Sequence, residues 1–388
     1  MTRVAVIGGG PAGSFAAERL ARAGLRVTLI DEKLAWEKPC GGGLTYKAYN
    51  QYPFLIDNDT PKRTITRTCL STSRAGSAEL ELTRPLLIYS RYELNNLLLR
   101  RAEGAGAQIE KARITGLVRN GSSWKLRTPS AVIEADHCII ANGARNALAE
   151  FGTEWSAENK MVAMGYYIPV NRDRVDIQFI DGFAGYIWVF PRNGHLSAGI
   201  CAKGETSQSL RRRLESYLAA HDIPLKDATF YGHVIPSLQK SEWRSNRAAG
   251  PGWMAVGDAA GLVDPITGEG LYYAIRSADL AAEAILSERE APEQSYSSAL
   301  QNEFTDEMEI ASRLAVRLYL GKFLYGDVPS RMIQFMRRSP TFCYVLQDLF
   351  AGTQGYLDLK ARLLQSMNGA IREIAFNSLF RRAIPASR

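Results

Sequence analysis

The sequence predicts a mixed α/β (α+β) fold: a Rossmann-like parallel unit, a unit of antiparallel strands and a set of C-terminal helices. Three observations carry this. The chain opens on strand, glycine turn, helix and strand; its middle changes to period-two strands; and from Glu290 onward the pattern is helical.

Val4, Ala5, Val6 and Ile7 form a short apolar run, as expected of a strand buried on both faces. The next turn carries Gly8, Gly10 and Gly13 in G-x-G-x-x-G spacing. Phe15, Ala16, Arg19, Leu20 and Ala23 recur at helical spacing, Gly24 stops the helix, and Arg26 to Ile30 is a second strand closed by Asp31. Each part serves one chemistry. The glycines let the backbone approach a pyrophosphate, the helix N-terminus offers it free N–H groups, and the Asp31 carboxylate accepts from a ribose hydroxyl. Gly104 and Gly106 follow a helix rather than a strand, and read as a helix stop.

Further along, Pro39-Cys40-Gly41-Gly42-Gly43 sits in a long loop whose glycines would let the backbone lie against a flat ligand. The plainer reading is a flexible linker with an incidental cysteine. Positions 51–85 read as loops and short strands, including the alternating Ala78 to Thr83. Arg91 to Arg101 is a helix, and Arg91 is either a ligand contact or a surface charge. Asn120-Gly121 marks a hairpin, and His137 to Ala141 is a strand ending at Asn142-Gly143. From Met161 to Cys201 the strands alternate. Tyr186, Trp188 and Phe190 share one face, as sandwich core or as a ligand wall, before Arg192-Asn193-Gly194 turns the chain back. A helix at Ser209 to Ala220 and a strand at Thr229 to Pro236 follow. Trp253 to Arg276 then gives strand, Gly257-Asp258, a Gly/Pro loop and a helix from about Gly270. Asp258 at a strand end suits a ligand hydroxyl. Gly268-Glu269-Gly270 either caps the helix or aims its N–H groups at an electron-rich group.

With 388 residues the chain has room for roughly two or three domains. It is 46% hydrophobic, without an apolar run long enough to span a bilayer, and it opens on a strand rather than a signal peptide. A cytoplasmic location is expected. Five scattered cysteines and four histidines show neither disulfide-framework nor zinc spacing. The net charge of +7 is concentrated: Ala311 to Arg388 holds twelve Lys/Arg against four Asp/Glu. This is either a solvated face or a seat for anionic lipid or a phosphorylated substrate. No basic run interleaved with aromatics points to nucleic acid.

Together the Gly8 fingerprint, Pro39–Gly43, Arg91, Gly257-Asp258 with Asp264-Pro265-Ile266-Thr267-Gly268-Glu269-Gly270, and Tyr186-x-Trp188-x-Phe190-Pro191 resemble the geranylgeranyl reductase family. That family belongs to the class with the p-hydroxybenzoate hydroxylase fold, and the resemblance runs roughly from Val4 to Leu286. It implies a Rossmann-like FAD-binding domain from 1–50, 88–150 and 247–290. This is interleaved with an antiparallel-sheet substrate domain from 51–87 and 151–246, and a helical region from 291–388 follows.

The resemblance also implies bound FAD. Gly8, Gly10, Ala12 and Gly13 would lie at its pyrophosphate, Asp31 at the adenosine ribose and Arg91 on the flavin side. Asp258 would meet the ribityl chain or pyrophosphate, Cys40, Gly41 and Gly43 the flavin ring, and Gly268, Gly270 and Leu271 its N1/O2 edge. The implied reaction passes hydride from reduced flavin to an isoprenoid C=C bond of a geranylgeranyl-type chain in a prenyl lipid, quinone or chlorophyll precursor. NADPH or another reductant supplies the electrons. Cys40 and Tyr46 are the candidate proton donors, and Tyr186, Trp188 and Phe190 line an apolar tunnel. Asn142-Gly143 stands where related hydroxylases carry Asp-Gly, which speaks against hydroxylase-style NADPH docking there. The alternative is an FAD-dependent monooxygenase of the same fold, acting on an apolar or aromatic substrate. An electron-transfer partner to quinones and a non-catalytic FAD sensor also stay open. For the basic C-terminal region a solvated face is the first reading, and peripheral contact with an anionic membrane is the alternative.

Overall fold

The computed structural model describes residues 1–145, 148, 151–152, 156–287 and 290–366. A six-stranded sheet runs in the order Ala249–Gly250, Trp253–Ala255, His137–Ile140, Arg3–Ile7, Arg26–Ile30, Gln108–Glu110. Every neighbouring pair is parallel except the first. Arg3–Ile7 is central, with Ala5 and Val6 fully buried, so the run has no polar face to offer. Helix Pro11–Arg22 follows and packs against helices Arg91–Gly104 and Leu271–Leu286. Buried alanines, Ala16 and Ala17 on one helix and Ala278 and Ala281 on another, keep these axes close. The helix stop stands where expected: Arg91–Gly104 ends before Gly106, whose φ is +99°.

The second sheet has eight strands, in the order Thr229–Pro236, Lys160–Ile168, Leu196–Ala202, Gly185–Pro191, Val175–Phe179, Lys62–Thr72, Gly76–Tyr89, Gly43–Leu44. It is mixed rather than wholly antiparallel as expected, because Val175–Phe179 runs parallel to Lys62–Thr72. The stretch read as loops and short strands is a long hairpin, 11 residues against 14. The alternating Ala78 to Thr83 falls in its second strand, while a bulge between Ile65 and Arg67 breaks the period-two pattern of the first and hides its extent. Ile187 and Val189 face helix Ser207–Ala220, and Tyr186, Trp188 and Phe190 face the opposite way.

Beyond Glu290 the chain is helical, as expected: Pro292–Leu300, Asp306–Leu320, Val328–Met336 and Pro340–Ala351. The last two cover the long hairpin. The terminal part of the predicted basic region, 367–388, lies outside the described residues. Among the described residues no helix is long and apolar enough to cross a membrane.

Candidate active site

One cavity of about 530 Å³ runs between the two sheets and the C-terminal helices. At its polar end stands the first glycine turn. Gly8 and Gly13 do not line the cavity; they make the turn possible. A Cβ on Gly8 would fall 2.3 Å from the Ala141 carbonyl oxygen, and one on Gly13 1.9 Å from that of Gly8. Gly10 and Ala12 do line it. Asp31 is placed beside the turn, and its carboxylate accepts from the backbone N–H groups of Gly9 at 2.7 Å, Lys33 at 2.7 Å and Leu34 at 2.6 Å. Most of its acceptor capacity therefore fixes the turn, and a ribose hydroxyl would compete for what remains.

Next along the cavity is a charged cluster. Asp258, at the end of Trp253–Ala255, pairs with Lys38 at 3.0 Å. Burial pushes the Asp258 carboxyl up, but Lys38, with Arg91 adding to it, outweighs burial and holds the group below its ordinary value. Gly270 caps helix Leu271–Leu286 and faces the same carboxylate. Arg91 is buried rather than a surface charge, 3% exposed, and its guanidinium donates to Asn95 at 3.3–3.4 Å. Burial, with Lys38 close by, pushes the His233 imidazole down, so it is neutral.

The fit to a dinucleotide can be judged from these groups. No atom lies within 4 Å of where a Gly10 side chain would begin, and no side chain caps the helix at that end. Among the described residues His233 Nε2 is buried without a hydrogen-bond partner. Two cations, an uncapped helix N-terminus and an orphaned imidazole nitrogen on one cavity wall suit an anionic, hydroxyl-rich ligand.

The Cys40–Gly43 loop crosses the middle of the cavity. Its backbone is pressed against Phe190: a Cβ on Gly41 or Gly43 would stand 3.2 or 2.9 Å from that ring. Gly42, at φ +85°, approaches the Tyr89 carbonyl so closely that a Cβ would lie 2.0 Å away. The flat group these glycines meet within the protein is thus Phe190, and any ligand ring would take the other side of the loop. Cys40 lines the cavity, and its Sγ accepts from Gly42 N–H at 3.3 Å. Fully buried Arg192 holds the loop from behind. It donates to the Cys40 carbonyl, to the Gly41 carbonyl at 3.3 Å and to the Glu37 carboxylate. Burial would raise Glu37, but Arg192, with Ser90 and the N–H groups of Arg91 and Tyr92, holds it lower.

Tyr186 and Trp188 wall the aromatic part of the cavity, which Leu349 and Phe350 also line. Tyr186 donates to the Thr267 carbonyl at 2.9 Å and stacks with Tyr319, the centroids 6.3 Å apart. The ring passes over Gly268, where a Cβ would lie 2.4 Å from the phenol oxygen. The expected cofactor loop and the expected substrate strand therefore touch. Leu271, directly after Gly270, lines the cavity as well. Tyr46 does not reach the cavity; its ring packs edge-on to Tyr49 and under Arg84. In its place the structure brings in Glu269. Thr45 Oγ1 donates to Glu269 Oε1 at 3.0 Å, and burial, with Asp264 adding to it, pushes the carboxyl up to about 7.

Sequence reasoning missed Arg192, Glu37 and His233, and noted Glu269 only as part of its loop. Arg192 looked like turn chemistry, since Arg-Asn-Gly reads as solvent-exposed, and its partners lie far away in sequence. The signal available was Glu37 itself, a carboxylate directly before a glycine-rich loop.

The sheet order, the glycine turn at a helix N-terminus and the cavity between the sheets define the p-hydroxybenzoate hydroxylase-like class of FAD-dependent oxidoreductases. A family model for pyridine nucleotide-disulphide oxidoreductases matches residues 2–163. The chain is 30% identical over 366 residues to a menaquinone reductase of Mycolicibacterium smegmatis, covering 85% of this chain and 87% of that one. It is 27% identical to a geranylgeranyl diphosphate reductase of Synechocystis, over 73% of this chain and 75% of that one. The crystal structure of a geranylgeranyl bacteriochlorophyll reductase-like protein from Thermoplasma acidophilum superposes with a TM-score of 0.75 at 23% identity, covering 94% of this chain and 99% of that one. The chain belongs to the geranylgeranyl reductase/menaquinone reductase family of FAD-dependent oxidoreductases.

Proposed function

We propose that the protein reduces isoprenoid C=C bonds of a geranylgeranyl-type chain carried by a prenyl lipid, quinone or chlorophyll precursor, with electrons from NADPH or another reductant. The observation that carries this reading is the shape of the cavity. A cationic, glycine-lined end continues without a break into an aromatic end walled by Tyr186, Trp188 and Phe350. An apolar chain fits that end, and an unpolarised alkene needs the water exclusion that those rings provide.

Gly10, Ala12, Arg91 and Asp258 would hold the dinucleotide, with Gly8, Gly13 and Asp31 keeping the turn in shape. Cys40, Gly41 and Gly43 would meet the ring system on the side away from Phe190, and Gly268, Gly270 and Leu271 its far edge. FAD, once reduced, supplies the hydride. The chain's own contribution is the proton. Cys40 stays a candidate, since its thiol lines the cavity, whereas Tyr46 is turned away. Glu269 is the stronger donor: its carboxyl lines the cavity, is oriented by Thr45, and, raised to about 7, keeps about half its proton at neutral pH. Lys38, paired with Asp258, keeps that carboxylate ionised beside it.

The test is product mass. Purified holoprotein, reduced with dithionite without oxygen, is incubated with a geranylgeranylated lipid, which should gain two hydrogens per bond reduced. Unchanged lipid with the flavin still reduced would exclude this substrate class.

A further inference from the structure

Helix Asp306–Leu320 and helix Val328–Met336 both help to wall the cavity, through Leu318, Tyr319 and Met332. They are joined by a small hairpin in which Lys322–Phe323 pairs antiparallel with Gly326–Asp327. Its two-residue tip is Leu324 and Tyr325, at φ 47° and 61°. Successive positive φ angles are those of a type I′ loop, a geometry that favours Asn-Gly and strains a branched or aromatic residue. The side chains gain no packing in return: Leu324 is 56% exposed and Tyr325 fully so. The protein nevertheless braces this shape. The Arg331 guanidinium donates to the Phe323 carbonyl at 3.3 Å and to that of Leu324, and Val328 N–H donates to the Gly321 carbonyl at 3.2 Å.

The helix leading in continues the pattern. Val316 and Leu320, one turn apart, are 61% and 51% exposed. Arg313 and Arg317 stand beside them at the same spacing, and Lys322 follows. No Asp or Glu occurs between Glu309 and Asp327. Among the described residues these three cations have no carboxylate partner. Apolar side chains held rigidly outward among unpaired cations match a surface that is negative outside and apolar within.

We propose that this hairpin and the outer face of helix Asp306–Leu320 dock on an anionic phospholipid bilayer. Leu324 and Tyr325 insert at the headgroup level while Arg313, Arg317 and Lys322 contact lipid phosphates. The opposite face of the same helix lines the cavity, so docking places the apolar end of the cavity one helix width from the membrane. Charge decides against a second copy of this chain as the occupant, because two such faces would repel.

The test is co-sedimentation of the full chain with phosphatidylcholine vesicles, with and without phosphatidylglycerol. Binding should require the anionic lipid and weaken with salt. Leu324→Asn with Tyr325→Gly should lower vesicle affinity at least tenfold and leave the melting temperature unchanged or higher, since Asn-Gly suits the loop. Arg317→Gln with Lys322→Gln should lower it by about fivefold for each cation removed. The proposal is overturned if the wild-type chain ignores anionic vesicles, or if the tip variant binds as well as wild type. It is also overturned if light scattering shows a dimer that the tip variant converts to monomer. Vesicle binding is read without turnover, so its outcome stands apart from that of the reductase assay.

Discussion

Replacing Arg192 with methionine removes the clamp behind the Cys40–Gly43 loop while roughly keeping the side chain's volume. The guanidinium is fully buried and serves three acceptors: the Glu37 carboxylate and the carbonyls of Cys40 and Gly41. Breaking a buried ion pair from one side destabilises by about 3–5 kcal/mol, because the remaining charge keeps its desolvation penalty. Glu37 retains the hydroxyl of Ser90 and the N–H of Arg91, and its side chain is 28% exposed, which places the loss toward the lower end. The two carbonyls add about 1 kcal/mol each where water cannot reach them. A total near 5 kcal/mol lowers the melting temperature by roughly 6–12 °C in a chain of this size. The assay is a thermal melt of holoprotein with FAD content measured in parallel, and Glu37→Gln completes a double-mutant cycle. The double variant should lose clearly less than the sum of the singles, since each single strands the other's partner. A melting temperature within a degree of wild type, or strict additivity, would refute the clamp.

Three further outcomes follow from the same geometry. Glu269→Gln should retain FAD but lower kcat by about 10²–10⁴-fold, and should remove a fall in rate as pH rises through about 7. The same carboxyl is raised from 4.5, so folding favours its protonated form: the stability it contributes is full below about pH 4 and lost as pH rises through about 7. That loss is at most about 3 kcal/mol, less where the cavity admits water, and denaturant melts across this range should show the slope in wild type but not in the Gln variant. Gly42→Ala, forced to φ +85° with a Cβ 2.0 Å from the Tyr89 carbonyl, should cost about 3 kcal/mol or more and yield protein poor in FAD; wild-type yellow protein would contradict the packing described.

The parallel unit was legible because its signals are local. Apolar strand, glycine turn, helix and closing carboxylate all lie within Val4 to Asp31, and the structure sets Arg3–Ile7, Pro11–Arg22 and Arg26–Ile30 where the pattern predicts. The alternation of Tyr186, Trp188 and Phe190 likewise gave their common face. The hairpin from Lys62 to Tyr89 was legible only in part, through the alternating Ala78 to Thr83, since the bulge in its first strand shifts the period partway along. Arg192 and His233 were not legible, because a buried polar residue takes its meaning from distant partners. Tyr46 shows the converse: a phenol near the right loop in sequence, but on the wrong side of a short helix, Tyr46–Gln51, in space. The positive φ of Leu324 and Tyr325 had no sequence signal at all, as those residues usually avoid that geometry.

The most direct test of the reductase reading is an anaerobic single turnover followed by flavin absorbance. The protein is reduced, freed of excess dithionite and mixed with a geranylgeranylated lipid in the absence of oxygen. The account predicts that the yellow oxidised spectrum returns at a rate that depends on lipid concentration, and that Glu269→Gln slows it. A flavin that stays reduced with lipid and reoxidises only when oxygen is admitted would contradict the account and favour an oxygen-using enzyme of the same fold.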